Sequence, residues 1–199
     1  MMNSPQISPF IIFFASIITS NMVLTNFLGM CSFISVSNEF KTASGLGKAV
    51  TLVMIFTTII NFAVYRFIVV PLELEYLRYV VFIIVIAASV QIIELAMDRF
   101  LPELHIKLGI FLPLITVNCA ILGISLFMVI RDYNFVQSLL FGAGSGLGWW
   151  LAISTLAAIR EKTNKSKVPQ GLVGPGLTFI IIGLMAMAFM GFSGIFTIQ

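Results

Sequence analysis

Cys31 and Cys119 are the only thiols in the chain, and each lies inside an apolar stretch long enough to cross a bilayer. Their surroundings echo each other. Thr25-Asn26-Phe27-Leu28-Gly29-Met30-Cys31 gathers Thr, Asn, Gly and Cys in the first half, and Thr116-Val117-Asn118-Cys119-Ala120-Ile121-Leu122-Gly123 gathers the same types in the second. A thiol in an apolar helix packs as a small side chain, ligates a soft metal or carries redox chemistry. The matched settings raise the metal or redox options beside the packing one. Thiolates select zinc, copper(I) or iron–sulfur. A [2Fe–2S] cluster ordinarily takes four protein ligands. On that option two cysteines make half a site, and a second polypeptide supplies the rest. The 88 positions between them do not make a disulfide framework.

The elements that hold these thiols must be membrane helices. The chain is 59% hydrophobic and 10% charged, with a mean hydropathy of +1.09. A soluble domain is nearer one quarter charged, so the composition excludes a water-soluble fold and implies an all-α integral membrane protein. Nineteen Phe and ten Met suit lipid-facing and adaptable surfaces. At about 20 apolar residues per crossing, six spans are expected: about Phe10–Val36, Leu46–Val70, Tyr79–Met97, Leu108–Ile130, Val136–Ile159 and Leu172–Phe196. The polar breaks between them leave no room for a nucleotide fold, a P-loop or a catalytic triad, so the chain reads as a single membrane domain over residues 1–199. Met1 to Pro9 carries no Lys or Arg, unlike a cleaved secretory leader, so the first span is expected to be retained.

Charge orients the bundle. The loops after spans 1, 3 and 5 hold Lys41, Lys48, Arg99, Lys107, Arg160, Lys162, Lys165 and Lys167; those after spans 2 and 4 hold Arg66, Arg78 and Arg131. Positive residues favour the cytoplasmic side, which places both termini on the outer side.

A second marker suggests duplication. Ser44-Gly45-Leu46-Gly47 opens span 2 and Ser145-Gly146-Leu147-Gly148 lies in span 5, each following the Cys-bearing span of its half. The spacings differ, 13 residues from Cys31 to Ser44 and 26 from Cys119 to Ser145. A three-span repeat (about 10–97, then about 108–196) enters the membrane upside down the second time. Inverted repeats with discontinuous helices build many membrane sites. Ser20, Asn21, Thr25 and Asn26 are polar for mid-membrane, and a break at Asn21–Asn26 would bring Cys31 toward the midplane. Pro113 would interrupt span 4 just before Thr116-Val117-Asn118.

Other candidates carry plainer readings. Gly142, Gly144, Gly146 and Gly148 form small-xxx-small pairs that favour close helix packing over a phosphate cradle. Glu94 lies one turn deeper than Asp98 and is the ion-path candidate, while Asp98 beside Arg99 reads as an interfacial anchor. Asp132 beside Arg131 reads as a solvated pair, and His105 is a lone loop histidine. Arg160-Glu161-Lys162, Lys165 and Lys167 suit a juxtamembrane stretch facing anionic lipid, or a docking face for a soluble partner.

Longer stretches carry a resemblance. Phe27-Leu28-Gly29-Met30-Cys31, Leu108 through Ala120, Arg131-Asp132-Tyr133-Asn134-Phe135, Gly144-Ser145-Gly146-Leu147-Gly148-Trp149 and Phe189-Met190-Gly191-Phe192-Ser193-Gly194 resemble the family formed by the membrane-embedded D and E subunits of the bacterial Na⁺-translocating NADH:quinone oxidoreductase and their Rnf counterparts. Arg131 to Phe135 and Gly146 to Trp149 look most like the E members of that family. The similarity spans nearly the whole chain and is weakest over Met1–Ser8 and Thr57–Tyr76.

The resemblance implies six helices in inverted repeats, pairing with an oppositely oriented D subunit, and membership of a complex with the A, B, C and F subunits in the bacterial inner membrane. It implies that Cys31 and Cys119 ligate a [2Fe–2S] cluster shared with the D subunit. Electrons would pass from the cytoplasmic NADH-oxidising subunit to the flavin of the C subunit and on to ubiquinone, coupled to sodium export. FAD, FMN and riboflavin belong to other subunits, and no catalytic residue or stand-alone activity is expected here. The alternatives are a component of an Rnf-type ferredoxin:NAD⁺ oxidoreductase, a secondary transporter of Na⁺ or a small solute, and a structural scaffold.

Overall fold

The polar residues at mid-span decide where the helices break. In the computed structural model, residues 8–73, 75–100, 112–165 and 174–192 are described, and they are all-helical. The first predicted span is two helices, α1 (Pro9–Ile17) and α2 (Met30–Val36). α3 (Phe40–Val64) continues into one π turn, Tyr65–Val69. A short 3₁₀ turn at Glu75–Leu77 leads into α4 (Arg78–Phe100). The fourth predicted span is also split, into α5 (Leu112–Thr116) and α6 (Cys119–Ile130). α7 (Phe135–Asn164) and α8 (Pro175–Met190) complete the described chain. Among the described residues, three continuous stretches are long and apolar enough to cross a bilayer: Phe40–Val69, Glu75–Leu95 and Phe135–Asn164. Leu114–Ile130 and Pro175–Met190 are shorter apolar helical stretches.

The break between α1 and α2 is wider than Asn21–Asn26; it runs from Ile18 to Gly29. Asn21 replaces the missing helical bonds. Its Nδ2 donates to the carbonyls of Ile17 (3.2 Å) and Gly148 (2.8 Å), while its Oδ1 accepts from the amides of Val23 (3.1 Å) and Leu24 (3.4 Å). Backbone polar groups at this depth must be satisfied inside the protein, and a single fully buried amide does much of that. Left-handed backbone at Phe27 (φ 55°) and Gly29 (φ 83°) carries the non-helical path up to Met30. The second break is shorter. The chain leaves the helix at Val117, and Asn118 caps α6 by accepting from the Ala120 amide at 3.0 Å. Pro113 is the second residue of α5, so the break lies downstream of it, at the Asn cap.

α7 is the hub of the bundle and packs most extensively on α3 and α1. Its glycines make that possible, which bears out the packing reading. A Cβ on Gly144 would run into Ser16 Oγ and come within 2.7 Å of the Phe13 carbonyl oxygen. One on Gly146 would lie 3.0 Å from Thr51 Cα, and one on Gly148 2.9 Å from the Ile17 carbonyl oxygen. The contacts also fix direction. Along α3, Ser44, Thr51 and Thr58 meet Trp150, Gly146 and Gly142 in turn, so α3 and α7 are antiparallel. Phe13 and Ile17 meet Gly144 and Gly148, so α1 and α7 are parallel. Asn61 meets Ser125, and Phe62 and Tyr65 share a cleft with Met128 and Val129, so α3 and α6 are parallel. The two Ser-Gly-Leu-Gly segments lie against each other: Thr51 Oγ1 donates to the Gly146 carbonyl at 2.9 Å, and Trp150 Nε1 to Ser44 Oγ at 3.2 Å.

The core is built from Trp149, Phe33, Phe82 and Phe141, with aliphatic side chains between them. Leu52, Phe56, Ile83, Ile84 and Ile92 remain exposed. That is the expected face of helices solvated by lipid tails, which are as apolar as Leu.

Gly144→Val tests the close approach. The new side chain would have to push α1 off α7, an overpacking worth about 1–3 kcal/mol or more. The expected result is a lower thermal unfolding midpoint in detergent. Gly45→Ala meets no atom within 4 Å and is the control, with a midpoint unchanged or slightly raised because alanine is the better helix former.

Candidate functional site

The two breaks bring the thiols together. Gly29 ends the first break and Cys119 opens α6, and the Gly29 amide donates to Cys119 Sγ at 2.9 Å. Cys31 follows two residues after Gly29, in the first turn of α2. A second strut crosses the same gap, where Asn118 Nδ2 donates to Ser32 Oγ at 3.2 Å. Residues 88 positions apart in sequence therefore share one frame made of two half-helix starts.

Both cysteines are exposed at the protein surface. Around them Phe27 is 57% and Val117 73% exposed, and Thr25 and Asn26 are exposed too. The exposed residues beside the thiols in the chain are thus both polar and apolar. Behind them the structure is closed: Ser32, Phe33, Asn118 and Ala120 are buried, and Trp149 has no exposed surface. Trp149 is fixed edge-on to Phe33 (ring centroids 6.3 Å, interplanar 71°), with its indole N–H unpartnered beneath Gly29. A Cβ on Gly29 would lie 2.9 Å from that nitrogen and 3.0 Å from both Ala120 Cβ and Asn118 Oδ1. Only glycine fits this position, by conformation and by space.

Cys31 and Cys119 are soft donors of the kind that thiolate-bound metals take, and the Gly29 amide is directed at the Cys119 sulfur. Among the described residues no cluster of three or more His, Cys, Asp or Glu could hold a metal.

The remaining candidates fall elsewhere. Glu94 is half-buried on α4; the Asp98 side chain, His105, Lys107 and Lys167 lie outside the described residues. Arg160 does not face lipid as its cluster suggests. Its Nη1 turns inward to the Ile34 carbonyl (2.9 Å) and to Ser37 Oγ (2.5 Å), capping α2, where a cation complements the helix C-terminus. Glu161 and Lys165 form an exposed pair at 3.4 Å. The amide donor at Gly29 and the buttress at Trp149 are functional features that residue type alone does not announce. The visible signal is that Gly29 sits in the first Cys-bearing motif and Trp149 directly follows Ser145-Gly146-Leu147-Gly148.

The family profile described as "Rnf-Nqr subunit, membrane protein" matches residues 10–196. The E subunit of the Na(+)-translocating NADH-quinone reductase of Aeromonas salmonicida is 54% identical over 186 residues, covering 90% of this chain and 94% of that one. The E subunit of the same reductase of Nitrosomonas europaea is 51% identical over 194 residues (92% and 96%), and that of Aeromonas hydrophila is 54% identical over 186 residues (90% and 94%). With the matched length, the apolar helices and the paired Cys motifs in agreement, the chain belongs to the Rnf-Nqr family of membrane-protein subunits.

Proposed function

We propose that this chain is the E-type subunit of a Na⁺-translocating NADH-quinone reductase, and that Cys31 and Cys119 supply two of four thiolate ligands to an intramembrane [2Fe–2S] cluster shared with an inverted D-type subunit. The observation that carries this reading is the Gly29 amide on Cys119 Sγ, which joins the two Cys-bearing breaks on one exposed face. The relatives named above favour the Na⁺-translocating complex over an Rnf-type one.

The helix directions support six spans in two inverted repeats. α1 and α7, spans 1 and 5, run parallel; α3 and α6, spans 2 and 4, run parallel; α3 and α7, spans 2 and 5, run antiparallel. That is the parity of six successive crossings, and the Lys/Arg bias of the loops would then put both termini on the outer side of the inner membrane. α2 and α6 then start at one depth and leave toward opposite faces.

Within that frame the chain's own residues bind and orient. Cys31 and Cys119 would hold one edge of the group, and the Gly29 N–H donates to Cys119 Sγ and fixes its position. Asn118 and Ser32 lock α6 to α2, while Asn21 ties the first break to α7. Phe27 and Val117 exclude water once a partner covers the face. A [2Fe–2S] group bound there would supply one-electron transfer within the roughly 30 Å of hydrocarbon. Sodium export is a property of the whole complex.

Thiol mass-tagging of the purified complex tests the shared site. Neither cysteine is expected to react in the native complex, and both in denaturant. Ready tagging of Cys31 and Cys119 in the native complex overturns the reading.

A further inference from the structure

A second site lies at the other end of α3. The π turn (Val70 N–H to the Tyr65 carbonyl, 3.0 Å) re-aims the helix end beside the α6–α7 turn, and single π turns of this kind often mark functional positions. Between them is a cleft of about 280 Å³. Its floor is apolar and rigid. Met128 and Val129 are buried, the Phe62 ring is held edge-on by Phe135 at 5.5 Å, and the Tyr133 ring by Phe141 at 5.5 Å. Arg131 is occupied elsewhere, donating to Tyr133 Oη at 3.1 Å and lying over Phe141.

The cleft also carries Arg66 and Asp132. Both are exposed, and among the described residues neither is in an ion pair. Arg66 is three positions from the end of the membrane-length stretch Phe40–Val69, which is headgroup depth. Phe67 (79% exposed), Ile130 (59%) and Val136 (55%) lie within two residues of the cleft's lining along the chain and are apolar surface suited to acyl chains.

One cation and one anion, unpaired and sharing a small cleft at the bilayer boundary, complement a zwitterion. A guanidinium matches a phosphodiester with two parallel N–H donors, and a carboxylate accepts from a primary ammonium. A sodium site would not carry a guanidinium in its wall. We propose that the cleft binds the headgroup of a phosphatidylethanolamine molecule, with the phosphate on Arg66 and the ammonium on Asp132. This does not depend on the role of the cysteines.

The test uses the intact complex in nanodiscs with a photoactivatable phosphatidylethanolamine, followed by peptide mapping. Cross-links are expected on the segments around Arg66 and Asp132, competed by unlabelled phosphatidylethanolamine several-fold better than by phosphatidylcholine or phosphatidylglycerol. Arg66→Gln is expected to lower labelling several-fold. Asp132→Asn is expected to erase the preference for ethanolamine over choline; Asn tolerates the left-handed backbone at this position (φ 49°), so the turn is kept. Labelling unchanged by both substitutions, absent because a neighbouring polypeptide covers the cleft, or displaced by millimolar inorganic phosphate overturns the proposal.

Discussion

Serine at Cys31 or at Cys119 is expected to strip iron from the purified complex and to lower NADH-to-quinone electron flow by more than the roughly 10–100-fold that loss of a ligand's supporting partner costs. A serine hydroxyl stays protonated near neutral pH and is a poor ligand for iron, so one substitution opens the shared site. The fold should survive. Both cysteines are exposed, no core contact is lost, and at position 119 a serine oxygen still accepts from the Gly29 amide. NADH oxidation by a soluble electron acceptor, which needs only the cytoplasmic subunit, is expected to stay at the wild-type rate. That contrast separates an interrupted relay from a failed assembly. Wild-type iron and quinone reduction in both variants would sink the shared-cluster reading.

Gly29→Ala should damage the same site while leaving both thiols in place. A left-handed conformation (φ 83°) costs an alanine roughly 1–2 kcal/mol. The new methyl would also press on Trp149 Nε1 at 2.9 Å, and on Ala120 Cβ and Asn118 Oδ1 at 3.0 Å, an overpacking of about 1–3 kcal/mol. The chain relieves both by moving Gly29 away from α6, which breaks the amide bond to Cys119 Sγ. The expected outcome is a lower thermal midpoint and reduced iron content with two titratable thiols intact. Trp149→Phe removes the nearest clashing atom. In a double-mutant cycle it should lower the midpoint on its own, because a fully buried indole is lost, and lower it less in the alanine background. Wild-type iron and stability in Gly29→Ala would show that the two breaks are not held together here.

The helices are legible in the sequence because lipid imposes a one-dimensional rule. Every crossing needs a long apolar run, and α3, α4 and α7 follow the runs that composition marks. The breaks are legible for a related reason: Asn21 and Asn118 are costly at mid-span unless their amides replace helical bonds, and they do so. Their extent is less so. Propensity does not place Phe27 in left-handed backbone, and it is Phe27 and Gly29 together that extend the first break to Met30. Arg160 misleads for a physical reason. Within a basic run it looks like its lipid-facing neighbours, yet a helix C-terminus folded under it gives its guanidinium better acceptors than water or lipid.

The sequence by itself determined the solvent of this protein, its thiol count and the small residues that let its helices touch. Each is a local property of residue type. The folded chain alone shows that the Gly29 amide reaches Cys119 Sγ, that both thiols are exposed and that Trp149 lies against Gly29. Those contacts join residues about 90 positions or more apart. They exist because the glycines of α7 let α1 and α3 approach closely enough to fix both breaks against one another, and no pattern read along the chain contains that distance.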